Sequence, residues 1–121
     1  MTLDDAEQDA WAYTARCLVN GLVRTRSQRR LHAGRVPFSY VAEMMREQDY
    51  RCAVTGFPLE PRRPSAPGTE GTSPWQASLD RIDNDEGYCE GNVRVVCLIA
   101  NLAMNRWGPE PLRTLMGRTA D

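Results

Sequence analysis

Residues 78–101, SLDRIDNDEGYCEGNVRVVCLIAN, decide the fold. The first part, with Ala77 before it, reads as a short strand over 77–82. Asp, Asn and Gly then crowd residues 83–91, which predicts a loop, because these residues bond their own backbone or accept positive φ. Val93-Arg94-Val95-Val96-Cys97 is β-branched and reads as a second strand. The helical stretch over 98–106 ends at Gly108-Pro109, and a short helix is expected over 110–116. The order is strand, loop, strand, helix.

Upstream the periodicity is helical. Residues 4–31 read as one long helix, capped by Thr2 or Asp4, with acids in its first turn, where the helix dipole favours them. Ala12, Ala15, Leu18, Val19, Leu22 and Val23 form its expected apolar stripe, and Ala33-Gly34 ends it. A second helix is expected after Pro37-Phe38, with Ser39 as N-cap and Val41, Met44 and Met45 inward, running to about Gln48. Residues 50–59 are rich in turn signals. Prolines and glycines dominate 60–74, which reads as an irregular loop. No internal repeat is present. The fold class is α+β: a long helix and a second helix, then two strands and a helix, then a short C-terminal helix.

The residues that carry chemistry lie at fixed offsets along this frame. Cys52-Ala53-Val54-Thr55-Gly56 is followed by Asp80-Arg81-Ile82, then by Gly87 and Gly91-Asn92, then by Val96-Cys97-Leu98-Ile99-Ala100-Asn101. This order resembles the HNH endonuclease family, in particular short phage and bacterial members with Asp-Arg-Ile in place of Asp-His-Ile. There the pattern is roughly C-x-x-(C/T)-G, D-(H/R)-I, G-x-x-x-G-N and V-C-x-x-(C/A)-N. The resemblance covers about half of the chain closely. It implies a single domain over 1–121, with a helical part at 1–48, a ββα-metal core at 50–108, and a C-terminal helix and tail at 109–121.

The resemblance also implies a chemistry, metal-assisted cleavage of DNA, or RNA, phosphodiesters. By position, Asp80 and Asn101 would hold one divalent ion. Two oxygen ligands suit Mg²⁺ or Mn²⁺ better than Zn²⁺. Asn92 would tie the loop between the strands. Taken singly, Asp80 and Asn92 read as strand-end and Asx-turn residues; the spacing and the flanking glycines favour the family reading. An EF-hand starting at Asp83 fails, because Gly87 stands where an oxygen ligand is needed and Tyr88 where the turn glycine is needed.

Two departures from the family stand out. Each cysteine knuckle keeps one thiol: Thr55 and Ala100 replace the second cysteines after Cys52 and Cys97, so a structural zinc is not expected. Both cysteines read as small buried residues. Arg81 stands where the family's general-base histidine belongs, and a guanidinium stays protonated. Either Asp83 or His32 serves as a substitute base, or Arg81 stabilises charge on the phosphate, or the fold is catalytically inactive and binds nucleic acid or a protein. His32, the only histidine, reads on its own as a solvated residue near a basic helix end. Trp75 and Trp107 read as core or lid residues, with base stacking as the alternative.

The bulk composition limits the partners. At 121 residues with a formal net charge of -1, the chain has no global pull toward nucleic acid. All 15 basic residues are arginine, and Arg24, Arg26, Arg29, Arg30 and Arg35 cluster beside His32. This segment is expected to supply sequence-independent phosphate contacts. No apolar run approaches a membrane span, and no signal peptide is read. Four cysteines outside any secreted scaffold pattern predict reduced thiols and a cytoplasmic protein of a bacterium or phage-infected host.

Overall fold

The computed structural model describes residues 2–21, 36–63 and 72–118. Among them are four helices and one two-stranded antiparallel sheet, in the order α1 (Asp5–Gly21), α2 (Phe38–Glu47), β1 (Ala77–Arg81), β2 (Val93–Cys97), α3 (Leu98–Met104) and α4 (Pro109–Arg118). The class is mixed α+β. The continuation of the first helix through 22–31 lies outside the described residues, as do His32 and the arginines at 24, 26, 29, 30 and 35.

Helix α1 opens on a reciprocal cap. The Glu7 N–H donates to Asp4 Oδ1 at 2.8 Å and the Asp4 N–H to Glu7 Oε2 at 3.4 Å, so Asp4 rather than Thr2 is the cap. The buried face of α1 is Ala10, Trp11, Thr14, Ala15 and Leu18, shifted from the expected stripe. Thr14 accounts for the shift. Its hydroxyl donates to Ala10 O at 2.7 Å and accepts the Arg62 N–H at 2.7 Å, so a polar side chain is buried at little cost. Helix α2 begins one residue before the expected Ser39 cap. Pro37 is the N-cap, with no side-chain cap bond, and its carbonyl accepts the N–H groups of Tyr40 and Val41. Proline presets the φ of -64° there, which moves the helix start back from Ser39. Val41 and Met45 are buried and Met44 is half-buried. After α2, Asp49 and Tyr50 both take positive φ, and Tyr50 packs on Trp11 with ring centroids 4.8 Å apart.

The strands pair with Asp80 opposite Arg94 and Leu79 opposite Val95. Side chains alternate in a strand, so Ser78, Asp80, Arg94 and Val96 share one face, and Ala77, Leu79, Arg81, Val93, Val95 and Cys97 the other. Helix α3 follows β2 directly and lies against both strands; α1 packs on β1 and α2 on β2. Gln48 holds the end of α2 to β2: its Nε2 donates to Val95 O at 2.9 Å and its Oε1 accepts the Val95 N–H at 3.2 Å. One apolar cluster joins these elements, from Trp11 and Leu18 through Val41 and Met45 to Val95, Val96 and Met104. Asn105, at φ 44°, ends α3 short of the expected Arg106, and Gly108, at φ 76°, completes the turn into α4.

Candidate functional site

The loop between the strands is held from inside by two side chains. Asn92 is buried. Its Oδ1 accepts the Asp83 N–H at 2.9 Å, and its Nδ2 donates to Asp83 O at 3.1 Å and Gly87 O at 2.9 Å. Arg81 takes the other half of the loop. Its Nη1 donates to Asn84 O at 3.0 Å and Glu86 O at 3.2 Å, and its guanidinium lies over the Tyr88 ring at 5.3 Å. Gly91, at φ 87°, lets the chain return to β2, and its N–H donates to the Tyr40 hydroxyl at 2.9 Å, which ties the loop to α2.

Beside this loop is an open cleft of about 340 Å³, lined by Asp80, Arg81, Asn84, Tyr88, Asn101, Leu102 and Asn105. Asp80 enters from the end of β1 and Asn101 from the middle of α3. Asn101 Nδ2 donates to Ser78 Oγ at 2.8 Å and to Leu79 O at 3.2 Å, which fixes the orientation of the carboxamide. No described residue donates to Asn101 Oδ1 or to Asp80 Oδ1. Asp80 Oδ2 accepts from Arg94 Nε at 2.8 Å, and these two side chains are only 12% and 17% exposed. The acidic loop thus gains one cation inside, Arg81, and the strand pair another, Arg94.

The expected residues are distributed unevenly around the cleft. Asp80, Asn101 and Arg81 line it together; Asn92 supports it from beneath the loop. Asp83 is exposed and is not among the residues lining the cleft, and its Oδ1 accepts the Asp85 N–H at 2.9 Å in an Asx turn. Trp75 and Trp107, expected in the core or as a lid, are 39% and 63% exposed, Trp75 stacked on Phe57 at 5.4 Å. Tyr88, Asn84, Asn105 and Arg94 were not anticipated. Arg94 stands out only as a charge in an apolar strand, which does not by itself say which residue it meets.

The donor set suits a hard cation. Among the described residues no three His, Cys, Asp or Glu side chains gather as a metal cluster. Asp80 and Asn101 both bring oxygen-bearing side chains to the lining of one polar cleft, with Asn84 and Asn105 adding carboxamides. Such a set fits Mg²⁺ or Mn²⁺, which keep several waters and take one or two protein oxygens.

The two knuckle cysteines meet behind this site, at the junction of β2 and α3. Both are buried, and the Thr55 N–H points at Cys52 Sγ from 3.5 Å. Burial pushes the Cys52 thiol up, but the Thr55 hydroxyl and the N–H groups of Cys97, Thr55 and Val54 outweigh it and hold Cys52 below the ordinary thiol value. Burial pushes Cys97 up, and its neighbour Cys52 adds to the shift. Cys52 is therefore the more acidic of the two thiols.

No helix among the described residues is long and apolar enough to cross a membrane. Compared with models of known families, with curated proteins and with solved structures, the chain matches none of them.

Proposed function

We propose that the chain is a small metal-dependent nuclease of the HNH type that cleaves DNA phosphodiester bonds, its strands and α3 serving as a ββα-metal unit. The observation that carries this reading is the meeting, in one cleft, of Asp80 from β1 and Asn101 from α3. It gains support from the buried Asn92, which ties the intervening loop by three hydrogen bonds. In this reading Asp80 and Asn101 hold Mg²⁺ or Mn²⁺, which supplies charge stabilisation at the scissile phosphate and its leaving oxygen. Asn101 is oriented for this by Ser78 and the Leu79 carbonyl. Arg81 positions the acidic loop that walls the cleft and offers positive charge at its edge. The arginines at 24, 26, 29, 30 and 35 supply backbone contacts along the nucleic acid.

One observation favours a second reading, a catalytically inactive fold that binds nucleic acid or a protein. The cleft's single carboxylate, Asp80, is already paired with Arg94, and Arg81 stands at the position where the resemblance places a general-base histidine. A missing general base costs about 10²–10⁴ in rate.

The test is conversion of supercoiled plasmid to nicked or linear DNA in Mg²⁺ or Mn²⁺, by wild type and by Asp80→Ala. The nuclease reading expects metal-dependent cleavage that Asp80→Ala abolishes with the fold intact by circular dichroism. No cleavage of DNA or RNA by wild type with either metal leaves the binding reading in its place.

A further inference from the structure

Arg94 has no task in the proposed cleavage, yet it makes the closest charged contact in the site. It stands directly opposite Asp80 in the strand register, and its Nε donates to Asp80 Oδ2 at 2.8 Å. With the side chains only 17% and 12% exposed, each charge in the pair depends on the other for compensation. A divalent cation entering the cleft therefore meets a carboxylate already held by a fixed positive charge.

A backbone phosphate can change this balance. It offers the planar guanidinium fork the same anionic oxygens that a carboxylate does. We infer that Arg94 is a built-in counter-cation that weakens the hold of Asp80 on a metal until a nucleic-acid phosphate takes over its guanidinium. The inference rests on the metal-site reading above and deepens it. Metal and nucleic acid then bind cooperatively at one site, and because coupling is reciprocal each tightens the other. Free protein keeps Asp80 compensated and its metal affinity low, so the site is assembled on its substrate.

The test is Mn²⁺ binding, followed by loss of the electron paramagnetic resonance signal of the free ion. Wild type, Arg94→Gln, Arg94→Lys and Asp80→Asn are compared with and without a short phosphorothioate duplex, after subtraction of Mn²⁺ bound by the duplex alone. The duplex is expected to tighten Mn²⁺ binding by wild type about tenfold or more, within the usual range of coupling between sites. Arg94→Gln should bind Mn²⁺ without duplex as tightly as wild type does with it, and lose the coupling. Arg94→Lys, which keeps the charge, should retain part of it, and Asp80→Asn should lose the site.

Equal Mn²⁺ affinity of wild type with and without duplex, unchanged in Arg94→Gln but lost in Asp80→Asn, overturns the role of Arg94 and leaves the metal site standing. Absence of Asp80-dependent Mn²⁺ binding in every sample removes the metal reading and this inference with it. Should Arg94→Gln fail to fold, the wild-type comparison decides, since a purely structural ion pair gives no coupling between duplex and Mn²⁺.

Discussion

Arg81 and Asn92 divide the work of holding an acidic loop that has little apolar surface of its own. Between them they engage the carbonyls of Asp83, Asn84, Glu86 and Gly87. Backbone carbonyls left without donors in a folded loop are costly, so these side chains set its shape. Asn92→Ala is expected to destabilise the fold by about 2–3 kcal/mol in urea melts, because it leaves the Asp83 N–H and two carbonyls without their side-chain partner. Asn92→Asp should be no milder: it keeps the acceptor but replaces the two N–H donors with one carboxylate oxygen that faces both carbonyls. Arg81→Ala should cost less, about 1–2 kcal/mol, since its contacts are partly solvated. It should also speed hydrogen exchange of the amides of residues 84–90. Arg81→Lys is expected to recover part of both loop protection and cleavage. Loop protection lost while cleavage stays at the wild-type level would separate the loop's shape from the chemistry.

The elements owe their boundaries to caps and to tertiary partners in different proportions. Helix α1 begins where local chemistry says it should, at the Asp4–Glu7 capping box. Asp4→Ala should therefore lower stability by about 1 kcal/mol and the melting temperature by a few degrees. Its buried face is another matter. Thr14 is buried because the chain at Arg62, distant in sequence, brings an N–H to its hydroxyl. Thr14→Val is expected to destabilise despite its greater hydrophobicity, by about 1–2 kcal/mol in the same melts, since it strands the Arg62 N–H. Helix α3 is short, and its tie to the sheet runs through Asn101, so the proposed metal ligand is also a packing residue. Asn101→Ala is thus a poor probe of metal binding by itself. Asn101→Asp, which cannot donate to Ser78 or Leu79, should destabilise as well; at Asp80 the milder probe is Asp80→Asn, since Asp80→Ala leaves the little-exposed Arg94 guanidinium without its partner.

At the scale of the whole molecule, one apolar cluster fastens three helices to a two-stranded sheet that would be too small to persist alone. Cys52 and Cys97 belong to that cluster as buried thiols tied by Thr55 and backbone N–H groups. The domain is accordingly expected to fold without zinc, with elemental analysis showing no stoichiometric metal and chelator leaving the melting temperature unchanged. Stoichiometric zinc whose removal unfolds the protein would overturn this. Strand and helix order, the loop at 83–91, the capping acid of α1 and the inward cysteines were all legible in the residues, because each depends on local propensity, period or turn chemistry. Asp80 and Asn101 both line one cleft, at the strand and helix positions where the spacing of the residues placed them. The Asp80–Arg94 pair was not legible, because antiparallel register across a long loop is set by which faces the helices bury and not by the loop itself. Nor was the turning of Arg81 into its own loop, or the withdrawal of Asp83 from the cleft. These depend on which carbonyls and donors the folded chain brings together, and a sequence carries no record of that until the core has placed them.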